Sequence, residues 1–141
     1  MNRVVCGAAA WALAFAGPAL AQAEQLTAVS NTAMSITGDV SLDDFGIAFA
    51  NGEQLAFSAL VGDMFTVGGE QVPASVYAVE TPADPVLENG NRLCGSGPVT
   101  FVASWLAPGG GSDVIVAVFD TQDAPASDAD ACATYTYATE E

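Results

Sequence analysis

Apolar and polar residues alternate with a period of two along much of this chain, and the alternation is strongest in its second half. Val99–Leu106 places Val99, Phe101, Ala103 and Trp105 on one face. Pro108 and the glycines 109–111 follow, too small and too bent to continue a strand. Val114–Phe119 is then apolar at every position. Period-two alternation with β-branched and aromatic residues predicts two strands, and the glycine-rich break predicts a hairpin between them. A strand that is apolar on both sides must be covered on both sides. A last strand is expected over Cys132–Ala138, with Tyr135 and Tyr137 on one face and Cys132, Thr134 and Thr136 on the other.

The first half carries a hairpin over Gly46–Phe57, with Asn51 and Gly52 as its turn. A two-residue loop would set Phe49 opposite Gln54 and send Leu55 and Phe57 to the face away from Ile47. A three-residue loop, residues 50–52, sets Ile47 opposite Leu55 and Phe45 opposite Phe57, and gathers all four on one face. Because a one-residue slip moves every side chain across the sheet, a one-sided core selects the second register. It requires a left-handed Gly52 in a bulged turn. The stretch Glu53–Leu60 also suits a short helix capped by Asn51. Weaker strand signals lie at Ala33–Val40, at Met64–Val67 paired with residues 71–72 across Gly68 and Gly69, and at Ser75–Glu80. Residues 81–98, rich in Pro and Gly, and the acidic stretch 121–131 read as long connections. Residues 22–32 read as a short helix or a loose terminus. Short strands with turn residues between them predict an all-β domain, a small antiparallel β-barrel or β-sandwich.

The first 21 residues do not belong to that pattern. Arg3 supplies a positive start, Val4–Phe15 is an unbroken apolar run, Gly17 and Pro18 break it, and Ala19-Leu20-Ala21 forms a small-x-small site. This is the layout of a cleavable signal peptide, cut after Ala21 or, alternatively, after Ala23. It implies a periplasmic or secreted protein, with residues 22–141 as one domain. Cys6 leaves with the signal, so Cys94 and Cys132 remain, and an even count in an exported chain reads as one disulfide.

Charge then narrows the function. The chain has 17 acidic residues, two arginines, no lysine and no histidine, a formal net charge of −15. Losing Arg3 with the signal leaves Arg92 as the only basic side chain. Such a surface repels phosphate, which excludes nucleic acid and anionic membranes as partners and favours a cationic protein or peptide. Without histidine there is no Ser–His–Asp triad or Cys–His dyad, and without lysine no Schiff base. No catalytic residue, metal or cofactor is expected.

Four acids, Asp120, Asp123, Asp128 and Asp130, crowd the 120–130 loop. They lack the order of a calcium-binding loop and read as a solvated, possible partner-facing surface. Asp39, Asp43 and Asp44 read the same way. Arg92 is expected to pair with a carboxylate, and Tyr135, Tyr137, Trp105 and Phe101 are expected to be core.

The leading expectation is a non-enzymatic binding protein of the cell envelope. A narrower form is an inhibitor of a basic envelope-degrading enzyme such as lysozyme. Ala74, Ser75, Val76 and Tyr77 resemble part of the Ser-Gly-x-x-Tyr loop of small periplasmic lysozyme inhibitors, but lack its Gly and its spacing. A housekeeping envelope protein without a ligand, a lipocalin-like binder with an apolar cavity and a carboxylate-based enzyme are the alternatives.

Overall fold

A computed structural model describes residues 23–109 and 111–139. The expected signal segment, residues 1–21, lies outside them. Eight antiparallel strands follow one another around a closed barrel, each paired with its neighbour in sequence, and the last closes on the first. They are β1 (Glu24–Ala28), β2 (Val40–Asp43), β3 (Gly46–Ala48), β4 (Gln54–Val67), β5 (Glu70–Ala83), β6 (Val99–Leu106), β7 (Asp113–Phe119) and β8 (Ala133–Thr139). The fold is therefore a barrel rather than a sandwich.

The register sorts the side chains. Glu24 lies opposite Leu42, Leu42 opposite Ile47, and Ile47 opposite Leu55, so these four share the inward face. The neighbouring row, Gln25, Ser41, Ala48 and Gln54, faces out. On these four strands the inward row is mostly apolar and the outward row mostly polar. The first hairpin adopts the three-residue loop: the Phe49 N–H donates to the Glu53 carbonyl, Gly52 donates back to Phe49, and Gly52 has φ 96°. Phe45 departs from the expectation. It sits in the β2–β3 turn, 68% exposed, because the ladder ends there and no neighbouring strand covers it.

Four other expectations are corrected. Residues 24–28, read as loose or helical, form β1, which pairs with both β2 and β8 and closes the barrel. Ala33–Val40, read as a strand, is instead a π-helical turn over Ala33–Thr37 followed by the start of β2. The Ser30 hydroxyl caps its first N–H, and the Gly38 N–H closes it onto the Ala33 carbonyl. Burial of Ala33 and Thr37 beneath the barrel outweighs local strand propensity. The short strands at 64–67 and 75–80 are parts of two 14-residue strands, β4 and β5. Val99 joins the barrel interior rather than the face of Phe101 and Trp105, because the β5–β6 ladder shifts register beside it.

Two apolar clusters result. The interior one includes Leu26, Leu93, Val102, Val116, Tyr135 and Tyr137. The second lies on the outer face of β5–β7 and holds Phe65, Val76, Ala103, Trp105, Ala117 and Phe119. Register shifts along β4 between Phe57 and Met64 bend the β4–β5 hairpin so that Phe65 lands on Trp105 and Phe119, with ring centroids 5.2 and 5.8 Å away. This is how β7 comes to be covered on both faces, as its composition requires.

Candidate functional site

One end of the barrel is plugged. The π-helical turn, residues 49–53 and the 84–98 connection lie across it. Thr37, fully buried, meets the Tyr137 hydroxyl at 2.7 Å, and the Tyr135 hydroxyl donates to the Leu93 carbonyl at 2.5 Å. The Asp84 carboxylate accepts the N–H groups of Cys94 and Gly95. The Cys94–Cys132 disulfide is formed and ties this plug to the chain entering β8. Both tyrosines and the surrounding aliphatic side chains pack inside the barrel, where the lipocalin-like alternative would place an apolar cavity.

The acidic loop stands beside the plug. Asp120 accepts a hydrogen bond from Ser96, the Asp123 carbonyl accepts from Thr121, and Ser127 caps the turn containing Asp128 and Asp130. The Thr66 N–H donates to the Ala126 carbonyl, fastening the loop to β4. Potential ligand atoms of Cys94, Asp120 and Cys132 lie within 4.8 Å of one another, but both sulfurs are consumed by the disulfide and offer no thiolate. Arg92 is exposed and donates to the Asp84 main-chain carbonyl at 2.7 Å, so a main-chain oxygen takes the place of the expected carboxylate. Nearby carboxylates already accept from backbone N–H groups and hydroxyls.

The other end is open. Leu42 and Val114 floor a depression of about 350 Å³, rimmed by Glu24, Asp63, Ser75, Ser104 and Leu106, with Trp105 in its wall. The register explains the convergence. Ser75 lies opposite Ser104, and Leu106 opposite Val114, all on the inward face. Glu24 enters from the first residue of β1, and Asp63 from the bent part of β4. Glu24, Asp63 and Leu106 are exposed, whereas Trp105 is buried and its indole Nε1 has no hydrogen-bond partner. Just below the rim, Tyr77 stacks on Phe57 at 4.5 Å and donates to Asp44 at 2.5 Å. Burial, helped by the Asp44 carboxylate accepting its proton, pushes the Tyr77 hydroxyl up to about 12. Burial likewise raises Tyr135 to about 12 and lifts Tyr137 further.

Sequence reasoning did not find this depression. Glu24 stood in a segment read as loose, and Asp63 between two segments read as separate strands. Of its lining, the sequence points to Trp105, as core, and to Ala74 and Ser75, for a different reason. The tetrapeptide Ala74–Tyr77 lies inside β5, with Val76 and Tyr77 buried, so it does not form an exposed loop. Comparison of the chain with known protein families, with characterised proteins and with solved structures finds no match.

Proposed function

We propose that this protein is a non-enzymatic binding protein of the periplasm or the secreted space, and that its open barrel mouth receives a cationic side chain of a partner protein or peptide. One observation carries the reading: Glu24 and Asp63 flank the same depression as Trp105 and Leu106. Two carboxylates beside an apolar wall suit a lysine or arginine, whose stem packs on carbon while its charged head meets the acids. The only basic side chain of the described residues, Arg92, belongs to the 84–98 connection at the plugged end. The disulfide, and the lack among the described residues of a helix long and apolar enough to cross a membrane, are compatible with an exported protein.

The test is titration with a lysine-rich peptide and with lysozyme at low salt. Binding should weaken as salt rises. The Glu24→Gln/Asp63→Asn double variant should lose affinity by about tenfold, while Asp123→Asn/Asp128→Asn in the acidic loop should bind as the wild type does. Equal loss in the two double variants would leave general acidity, rather than the mouth, as the source of binding. Slowing of lysozyme at equimolar protein would identify the narrower inhibitor role.

A further inference from the structure

Closing a barrel removes the free edges of a sheet, but here one edge survives. β4 is 14 residues long and its neighbour β3 only three. The β3–β4 ladder ends where the Phe57 N–H donates to the Phe45 carbonyl. The next backbone partner on that side is Ala126, which accepts from Thr66. Between them, among the described residues, β4 pairs with β5 alone. The overhang includes Leu60, Val61 and Met64, 57%, 45% and 47% exposed. Edges left open in water are commonly guarded by lysine, proline, other charges or bulges; residues 58–65 contain no lysine or proline, and their guards are Asp63 and the register shifts of β4. The same register shifts carry Phe65 over Trp105, and they leave Leu60, Val61 and Met64 exposed along the bend.

We propose that the β4 edge from Ser58 to Phe65 is a docking edge that takes an extended basic segment of a partner protein as an added strand, in continuity with the mouth. Strand addition supplies main-chain hydrogen bonds to any sequence, and the neighbouring side chains select among sequences. The selection here is electrostatic. Asp63, the one charged residue of the stretch, also rims the depression, with Glu24 as the other acid there. A second copy of the chain is the poorer occupant, since each copy carries a net charge of −15. The inference rests on the cationic-partner reading above and adds its binding mode.

The experiment uses a short peptide of alternating lysine and valine, and the same peptide with alternate backbone amides N-methylated. Methylation keeps the charge but removes the donors that strand addition needs. The unmodified peptide should bind, slow amide hydrogen exchange over residues 58–65, and lose affinity by about tenfold on methylation. Val61→Lys and Met64→Lys, both at exposed positions, should weaken it similarly while leaving Trp105 emission and the tyrosine signals unchanged. If the methylated peptide binds equally well, cation recognition stands and the docking edge falls. If neither peptide binds at low salt, both readings fall. Self-association of the protein that Val61→Lys abolishes, without peptide binding, would assign the edge to a second copy and overturn the proposal.

Discussion

Phe65→Ala tests whether the outer cluster is a working layer of the fold. Phe65 is fully buried, 0% exposed, and its ring lies edge-on to Phe119 and tilted against Trp105. Truncating a buried phenylalanine costs about 3–5 kcal/mol through lost transfer energy and the cavity left behind. That is a large part of the 5–15 kcal/mol typical of a whole domain. Phe45→Ala removes the same atoms from a side chain that is 68% exposed, and should cost less than about 1 kcal/mol. Two spectroscopic probes separate the layers. Trp105 is the only tryptophan of residues 22–141 and sits in the outer cluster, while all three tyrosines sit in the interior cluster. β5, β6 and β7 contribute buried residues to both clusters, so the two should unfold together. Urea denaturation of Phe65→Ala, followed by Trp105 emission and by tyrosine circular dichroism, should give coincident transitions at a much lower midpoint. The reasoning fails if Phe65→Ala costs no more than Phe45→Ala, or if the tryptophan transition precedes that of the tyrosines.

Removing the disulfide with Cys94→Ser/Cys132→Ser should destabilise by roughly 4 kcal/mol, given the chain-entropy relation and the separation of 38 residues, measured as a drop in denaturation midpoint. An unchanged midpoint would mean that the plug holds without its covalent tie. Alkaline titration should show no phenolate absorbance near pH 10 in the native protein, because all three hydroxyls are held protonated above that range. An unfolded tyrosine ionises near 10, so the stabilisation is complete below about pH 10 and is lost as pH rises through about 12. Phenolate should therefore appear together with unfolding, and a step at pH 10 without unfolding would contradict the burial of the tyrosines.

How far the sequence revealed this arrangement depended on whether a signal was local. The Asn51–Gly52 turn fixed its own register, because only the three-residue loop puts Ile47 and Leu55 on one face. Val114–Phe119, apolar throughout, already required cover on both sides. The disulfide followed from a cysteine count once Cys6 was assigned to the signal. The closing strand β1 was not legible: Leu26 is its one large apolar residue, and its strand identity comes from β2 and β8 on either side. Nor were the continuous β4 and β5, since the register shifts near Ala59, Gly62 and Met64 break the period-two pattern. The Ala33–Thr37 turn was hidden because its shape serves the plug, where Thr37 meets Tyr137. The mouth was invisible for a related reason, because Glu24 and Asp63 meet only after the barrel closes and the hairpin bends.

The acidity has two separable roles, and net charge measures neither. With almost no basic side chains to pair with, several carboxylates serve as internal acceptors. Asp39 accepts the Ala28 N–H, Asp43 the N–H groups of Phe45 and Gly46, and Asp84 those of Cys94 and Gly95, while Asp44 and Asp120 take the hydroxyls of Tyr77 and Ser96. Hydrogen bonds to an ionised acceptor are stronger than neutral ones, so these acids brace turns and connections where another protein might use an ion pair. Neutralising them one at a time should loosen the fold before it affects any partner. Glu24 and Asp63 differ from these in place, exposed at the rim of a depression that combines two acids with an aromatic wall. On the proposed reading, the charge that recognises a partner is a local property of the open end, while at the plugged end Asp84 and Asp120 brace the plug.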